Sequence, residues 1–161
     1  MSRKSGNRFS EQDMRKDASD GRTYPMRPVL AVSAAIIRGD RVLIVKRARR
    51  PAEGVHTLPG GVVEAGESLS EAVIREIREE TALTIEPVAL AGTREVIARD
   101  DAGKVERHFV ILAFAARWIA GEPVLNEELA EAHWRRPDEI AGLKTTEGLA
   151  EIVAAAFEKL R

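Results

Sequence analysis

The sequence predicts an α/β fold in which a mixed β-sheet lies between helices. Two apolar runs with strand character, Val29–Ile37 and Arg41–Lys46, follow one another near the start of the folded region. A capping signal predicts a helix over Ser68–Thr81. Apolar residues recur with the helical period over Thr146–Leu160. Strand patterns interspersed with helical patterns in this way are typical of α/β architecture.

The first half of the chain contains the short elements. Gly39-Asp40 predicts the hairpin turn between the first two strands, and the polar loop Arg47–Gly54 follows the second strand. A short extended segment, His56–Leu58, comes next. It leads into the turn Pro59-Gly60-Gly61, where glycine permits close approach of the backbone to a metal or a phosphate.

The second half combines helices with longer strands. Ser68 and Glu71 have the capping-box spacing S-x-x-E at the start of the first helix. Ile85–Arg99 and Glu106–Ile119 predict two long strands hinged at residues 100–103, and Pro137–Ile140 predicts a short helical turn. The apolar stripes of the two helices are Val73, Ile74 and Ile77 in the first, and Leu149, Ile152, Val153, Ala156, Phe157 and Leu160 in the last.

Composition favours an ordinary globular protein. The chain has 161 residues, 44% apolar and 32% charged, which is enough for one sizeable core. The absence of cysteine excludes disulfides, thiolate metal sites and cysteine nucleophiles. No apolar run approaches the ~20 residues of a membrane span, and no secretory signal is evident. We therefore expect a cytoplasmic protein without a membrane partner.

Charge divides the chain into two parts. Residues 1–27 carry seven Lys or Arg and four Asp or Glu with few apolar side chains, so we expect a flexible N-terminal tail. Residues 28–161 carry 18 basic and 22 acidic side chains and are expected to form the folded domain. The net charge of −1 favours neither binding nor exclusion of nucleic acid.

Three glutamates, Glu76, Glu79 and Glu80, share one face of the predicted helix. At ~100° per residue, the second and third lie about 60° and 40° to either side of the first. Such a carboxylate cluster is costly unless a cation neutralises it, and oxygen ligands suit Mg²⁺ or Mn²⁺. The glycine turn lies just before this helix. Together they indicate metal-assisted chemistry on a phosphate ester or anhydride, although a solvated acidic helix is the plainer alternative.

The segment GVVEAGESLSEAVIREIREETAL resembles the Nudix box, G-x5-E-x7-R-E-U-x-E-E-x-G-U, where U is aliphatic. Gly61, Glu67, Arg75 and the three glutamates occupy its fixed positions, and Leu83 provides the last aliphatic residue. The one departure is Ala82, where the family has a glycine. Because that glycine ends the helix in a left-handed conformation, alanine there implies a strained or differently built cap.

The resemblance implies a Nudix α/β/α sandwich and a role for each matching residue. Glu76, Glu79 and Glu80 would bind Mg²⁺ or Mn²⁺, with the Gly60 carbonyl as a further ligand. Glu79, Glu80 and Arg75 would be catalytic, with Arg75 orienting the glutamates through Glu67 or Glu79.

A general base is often supplied from outside the box. Glu128, six residues before Trp134, has the spacing seen in MutT-like members. Glu127 and Glu131 are rivals, and a plain acidic loop is the alternative for each.

Four residues are predicted to bind substrate: Arg47, His56, Glu67 and Phe109. Arg47 directly follows the second strand and matches a phosphate-binding arginine of MutT-like proteins, with Arg49 and Arg50 close by. A basic surface loop is the alternative. His56 or Phe109 would stack on a base or, on the structural interpretation, cover the core.

The resemblance implies hydrolysis of a nucleoside diphosphate linked to another moiety. Cleavage of ADP-ribose to AMP and ribose 5-phosphate is the leading hypothesis, because the region around the box resembles compact bacterial ADP-ribose pyrophosphatases. Against it, Glu95-Val96-Ile97 stands where many of those enzymes carry a proline. The alternatives are a (d)NTP or oxidised-dNTP pyrophosphohydrolase and a non-catalytic nucleotide-binding module. The partner is expected to be a small nucleotide-type molecule rather than nucleic acid, and a homodimer is left open.

Overall fold

The computed structural model describes residues 27–49 and 52–161. The tail predicted for residues 1–27 therefore lies, except for Arg27, outside the described residues. The elements within the described ranges are strands β1 (Val29–Arg38), β2 (Arg41–Arg47), β3 (His56–Thr57), β4 (Gly60–Val62), β5 (Thr84–Arg99), β6 (Val105–Ala120) and β7 (Leu129–Arg135), helices α1 (Leu69–Thr81) and α2 (Leu149–Lys159), and a 3₁₀ turn (Pro137–Glu139).

The seven strands form one mixed sheet. Its main order is β3-β2-β1-β6-β5, with β4 paired to β1 and β7 paired to β2. β1 runs parallel to β6 and antiparallel to β2 and β4. A single row of paired residues crosses the sheet from Gly60 through Ser33 and Ala113 to Gly92. This row connects the glycine turn before α1 to the outer strand β5.

Each face of the sheet carries a helix and a core. On one face Val32 and Leu43 pack with Val73 and Ile77 of α1. On the other face the core contains β1, β2 and β6 residues together with the buried side of α2; its buried members include Ala35, Ile44, Ala113, Leu149, Val153 and Ala156. The sequence prediction of a mixed sheet between helices is confirmed. None of the described helices is long and apolar enough to cross a membrane.

Helix α1 begins and ends as its sequence indicates. The Ser68 hydroxyl accepts a hydrogen bond from the Glu71 amide at 3.1 Å, which is the predicted N-cap. At the other end Ala82 has φ 64° and ψ 10°, a left-handed conformation, and its amide donates to the Arg78 carbonyl at 2.9 Å. The cap geometry is thus the one a glycine would adopt, and Ala82 adopts it with a steric cost.

Some element boundaries differ from the sequence prediction. The last helix begins at Leu149 rather than Thr146, because Gly148 has φ 79° and stands outside the helix as its N-cap. Gly60–Val62 forms strand β4 through its pairing with β1 rather than a turn alone. Strand β7 had no sequence prediction, and it exists because Leu129–Arg135 pairs with β2. In the last two cases tertiary pairing determines the backbone.

Candidate active site

Helix α1 places its glutamates at very different depths. Glu76 is 2% exposed and Glu80 is 5% exposed, whereas the Glu79 side chain keeps 28% of its surface accessible. Because buried carboxylates destabilise a fold unless cations or hydrogen bonds compensate them, two of them on one helix indicate a functional requirement.

Arg75 holds the first part of the cluster together. Its Nε and Nη2 atoms donate to the two oxygens of Glu67 at 2.6 and 2.7 Å, a bidentate pair. Its Nη1 atom donates to Glu76 at 2.6 Å and to Glu79 at 3.4 Å, and Nη2 also donates to the Val62 carbonyl at 3.1 Å. The Glu67 hydrogen bond raises the pKa of Arg75 further above its usual range, while burial opposes that shift.

Glu80 belongs to a second part of the cluster, beside the glycine turn. Its Oε2 atom accepts a hydrogen bond from the Gly60 amide at 3.2 Å. Gly60 has no room for a side chain, because a Cβ atom there would lie 2.1 Å from the Val32 carbonyl oxygen. The turn therefore needs glycine so that β4 can approach β1 and leave its amide facing Glu80.

The donor set suits a hard divalent cation. Carboxylate and carbonyl oxygens, rather than histidine or thiolate, surround this part of α1. Within residues 27–49 and 52–161, no three acidic or histidine side chains form a ready-made metal cage. Mg²⁺ itself usually keeps several waters and takes only one or two carboxylates together with substrate phosphates. The buried position of Glu76 and Glu80 agrees with such a role.

A cavity of about 200 Å³ opens next to Glu80 and Gly60 on the α2 face of the sheet. Most of its wall is apolar and comes from β1, β6, β5 and the start of α2. Charged side chains are also part of the wall. Its wall includes Arg47, Gly60, Glu80, Arg94, Arg107, Phe109, Leu129 and Glu147.

Two of the predicted substrate-binding residues lie in this wall and two do not. Arg47 and Phe109 line the cavity, and Phe109 is 4% exposed. The His56 ring is held at the Lys144 carbonyl, with Nδ1 at 3.3 Å, and His56 is not part of the wall. Glu67 is likewise outside the wall, since both of its oxygens bind Arg75.

Glu128 is not part of the cavity wall, although its backbone lies beside wall residues. Its carbonyl accepts a hydrogen bond from Ala48, directly after Arg47, and the next residue, Leu129, lines the wall. The rival Glu127 lies 3.4 Å from Arg49 in an exposed ion pair. Glu131, also a rival, pairs with His133 at 3.7 Å. Arg50 is outside the described residues.

The sequence analysis missed Arg94, Arg107 and Glu147. On β5, Arg94 alternates with Val96 and Ala98 on the cavity side, and Arg107 is directly opposite Ala98 on β6. Burial lowers the pKa of Arg94, and the nearby Glu147 opposes this. The alternating pattern along β5 was a usable signal, because an arginine in phase with buried residues points into the protein.

Comparison with known proteins identifies the family. The NUDIX domain profile matches residues 27–156, which includes the Arg75 cluster and the cavity wall. The chain is a Nudix hydrolase. The sequence-based recognition and the prediction of an enzyme that hydrolyses a diphosphate bond are both confirmed.

Relatives of this Nudix hydrolase include enzymes with different named substrates. It is 35% identical over 130 residues to the ADP-ribose pyrophosphatase of Methanocaldococcus jannaschii, covering 80% of this chain and 74% of that protein. It is 34% identical to the NAD-capped RNA hydrolase NudC of Escherichia coli O1:K1, covering 74% of this chain but only 43% of that protein. The structure of a MutT NUDIX hydrolase from Burkholderia pseudomallei superposes with a TM-score of 0.68 at 29% identity, covering 84% of this chain and 99% of that one.

Proposed function

We propose that this Nudix hydrolase cleaves ADP-ribose to AMP and ribose 5-phosphate in a Mg²⁺-dependent reaction. One observation carries the proposal: Gly60 and Glu80, from the carboxylate cluster, are also part of the cavity wall. A diphosphate at the cluster would therefore extend one of its two arms directly into the cavity. The similarity to an archaeal ADP-ribose pyrophosphatase supports this substrate.

The metal would be held by Glu76, Glu79 and Glu80, with the Gly60 carbonyl as a further ligand. When bound, a divalent ion neutralises the diphosphate oxygens and lowers the pKa of an attacking water. Mn²⁺ presents the same oxygen-ligand chemistry and would substitute for Mg²⁺. Glu79, the most accessible of the three, would be the glutamate that faces solvent and substrate.

Arg75 and Glu67 would act by position. Their bidentate pair fixes the guanidinium plane, and that plane fixes one oxygen each of Glu76 and Glu79. The glutamates would thus need little rearrangement when the metal and substrate arrive. On this proposal Arg75 serves catalysis through the glutamates rather than through contact with substrate.

Glu128 would accept the proton of the attacking water. Its backbone contact with the residue after Arg47 supports that role, while Glu127 pairs with Arg49 and Glu131 lies 3.7 Å from His133 at the surface. Arg47, in the wall, would bind the phosphates through its guanidinium. Phe109 would provide an apolar surface for the sugar or base.

A second substrate class is favoured by the relatives named NAD-capped RNA hydrolase. NADH and NAD-capped RNA contain the same diphosphate between two ribose units, and the same carboxylate cluster would serve them. A (d)NTP or oxidised dNTP is the third candidate, and the MutT-named structure is its support. Because most of the cavity wall is apolar, the cavity is better suited to the sugar or base arm of a diphosphate substrate than to a triphosphate.

The experiment is a Mg²⁺-dependent hydrolysis screen of ADP-ribose, NADH, NAD-capped RNA, canonical and oxidised dNTPs, with the products identified. ADP-ribose as the best substrate, giving AMP and ribose 5-phosphate, is the expected result. A higher kcat/KM for NADH or for a triphosphate would reject the proposed substrate. Glu79→Gln is the matched inactive control. If the wild type bound ADP-ribose tightly but hydrolysed it no faster than Glu79→Gln does, the protein would be a nucleotide-binding module rather than a hydrolase.

A further inference from the structure

Glu147 brings a carboxylate into a cavity wall that is otherwise mostly apolar. It lies just before α2, on a segment that is hydrogen-bonded to β3. The His56 amide donates to the Lys144 carbonyl at 2.8 Å, and the Thr146 amide donates to the His56 carbonyl at 3.1 Å. These two hydrogen bonds hold the backbone beside Glu147 in place, so its carboxylate is supported by the sheet.

Arg94 lines the same cavity from β5. Helix α2 packs closely on this strand, because Ile152 lies 3.1 Å from the place where a Cβ atom of Gly92 would be. Burial lowers the pKa of Arg94 and the charge of Glu147 opposes that shift, so the two side chains lie near each other. Within the part of the chain that the structure describes, they nevertheless form no ion pair with each other. A gap between opposite charges therefore opens into the cavity.

Two threonine hydroxyls line the wall beside Glu147. The Oγ1 atoms of Thr57 and Thr146 lie 3.0 Å apart in a hydrogen bond. One hydroxyl donates to the other, which leaves the second proton available for an acceptor. Thr57 is three residues before Gly60, so their Cα atoms lie no more than about 11 Å apart. This polar part of the wall is thus close enough to the glycine turn to meet the sugar next to a bound diphosphate.

Few chemical groups satisfy both charges of the gap. A further phosphate would bind Arg94 but would be repelled by Glu147, and an ammonium group would meet the reverse problem. Arg107 would not change this balance, because it is opposite Ala98, four residues along β5 from Arg94. An apolar group would leave both charges without a partner. Two neighbouring hydroxyls suit the gap, because each can donate and accept hydrogen bonds.

We propose that Glu147 and Arg94 together bind the 2′- and 3′-hydroxyls of the ribose next to the diphosphate, so that the enzyme selects ribose over 2′-deoxyribose substrates. Glu147 accepts hydrogen bonds from the two hydroxyls, as acidic residues do in dinucleotide-binding folds, and Arg94 donates to them. This selectivity rests on the proposed function, because it requires a diphosphate at the carboxylate cluster. Since a ribose adjoins both phosphates of ADP-ribose, it holds for either arm in the cavity.

Three substrates test the selectivity: ADP-ribose and two deoxy analogues, each lacking the 2′-hydroxyl of one of the two riboses. The wild type should hydrolyse at least one analogue with a kcat/KM about tenfold or more below that of ADP-ribose, the effect of a lost hydrogen bond to a charged group. The loss should appear mainly in KM, because the contact is the same in the ground state and in the transition state.

Glu147→Ala should reduce this preference for ribose to within about threefold, and Arg94→Met should reduce it as well. Glu147 is exposed, so its substitution should leave the fold intact. Glu147→Gln keeps an oxygen acceptor and should have an intermediate preference. The matched control is Glu151→Ala, because Glu151 is exposed on α2 and is not part of the cavity wall. This control should keep the wild-type preference.

Two results would overturn the proposal directly. One is a wild type that hydrolyses both deoxy analogues within about threefold of ADP-ribose, and the other is a Glu147→Ala variant that keeps the full preference. Replacing adenine by hypoxanthine in ADP-ribose adds a third comparison. If Glu147→Ala altered the preference between these two bases and not that between ribose and deoxyribose, the residue would recognise the base.

Failure of the proposed substrate leaves this test intact. If NADH or a triphosphate is the best substrate, the same ratio of kcat/KM is measured for that compound and its 2′-deoxy form. If no compound is hydrolysed, isothermal titration calorimetry with ADP-ribose and its deoxy analogues gives the ratio of dissociation constants, and an equal ratio in wild type and Glu147→Ala rejects the role of Glu147. A protein that neither hydrolyses nor binds these compounds would overturn both proposals.

Discussion

At the scale of single residues, the cluster depends on a guanidinium with three hydrogen-bonded carboxylate partners. Arg75 binds Glu67, Glu76 and Glu79 at once, and these contacts use its planar fork of donors. A lysine at this position keeps the charge but cannot reproduce the bidentate pair. The residue is thus a sensitive test of whether the geometry of the glutamates, rather than their charge alone, supports catalysis.

We therefore expect Arg75→Lys to lower kcat/KM for the best substrate about 10- to 100-fold, the range for a residue that orients metal ligands. The Mg²⁺ concentration for half-maximal activity should rise as well. Steady-state kinetics at several Mg²⁺ concentrations measure both. Glu71→Gln, on an exposed part of the same helix, is the control. Unchanged kinetics in Arg75→Lys would assign Arg75 to helix stability alone.

Glu128 is a second prediction at this scale. Glu128→Gln removes the proposed proton acceptor and should lower kcat by about 10²–10⁴-fold with a small effect on KM. Glu127→Gln and Glu131→Gln should each retain activity within about threefold, because both side chains are exposed and contact only surface partners, Arg49 and His133. The three variants are compared under identical conditions. A larger loss in either rival would move the base to that residue.

At the scale of elements, the C-terminal cap of α1 has a left-handed conformation that favours glycine, but the sequence has an alanine there. Ala82 has φ 64°, a left-handed conformation that costs an L-residue about 1–2 kcal/mol. Ala82→Gly removes that strain but gives the unfolded chain more freedom, which offsets about 0.4–1 kcal/mol. We expect a net stabilisation of about 0.5–1 kcal/mol, measured by urea unfolding.

The control for this prediction is Ala154→Gly. Ala154 is exposed on α2 and has ordinary helical geometry, so glycine there should destabilise by about 1 kcal/mol. The two substitutions are chemically identical and differ in backbone conformation. Destabilisation by Ala82→Gly would mean that the alanine methyl group makes contacts that outweigh the strain.

The elements that the sequence predicted well are those with local signals. The cap at Ser68, the turn at Gly39-Asp40 and the periodic stripe of the last helix all depend on residues close together in the chain. Strand β7 depends instead on its partner β2, far away in sequence, and had no local signature. The site divides in the same way. The motif predicted the carboxylates and the pairing of Arg75 with Glu67, whereas the cavity that Arg94 and Arg107 line is formed by strands and a helix that are distant in sequence.

At the scale of the whole molecule, the cavity is lined by residues near both ends of one row of paired residues that crosses the sheet. Gly60 begins the row, and Gly92, two residues before Arg94, ends it. Three strand spacings and two residues along β5 put Arg94 ~16 Å from Gly60. A substrate with its diphosphate at the glycine turn would therefore meet Arg94 with its distal arm.

Arg94 is expected to destabilise the fold unless its guanidinium binds a partner. It is partly buried, burial lowers its pKa, and within residues 27–49 and 52–161 it forms no close ion pair or hydrogen bond. A depressed pKa means that the folded state disfavours the charged guanidinium, so removing the charge should not reduce stability. We infer that Arg94 contacts an anionic or oxygen-rich group of the distal arm.

Arg94→Met should accordingly raise KM for ADP-ribose about tenfold or more, the cost of one charge-assisted hydrogen bond, and leave kcat within about twofold. The free energy of unfolding should stay equal or increase, since methionine fills the same space without charge. Kinetics and urea unfolding of one variant test both statements. Arg117 is an exposed arginine on β6, so Arg117→Met is the matched control and should change neither KM nor the free energy of unfolding by much.

An unchanged KM for Arg94→Met would confine substrate recognition to the half of the cavity near the glutamates. A loss of stability would instead make Arg94 a structural residue, because a binding residue and a structural one respond to this substitution in opposite directions.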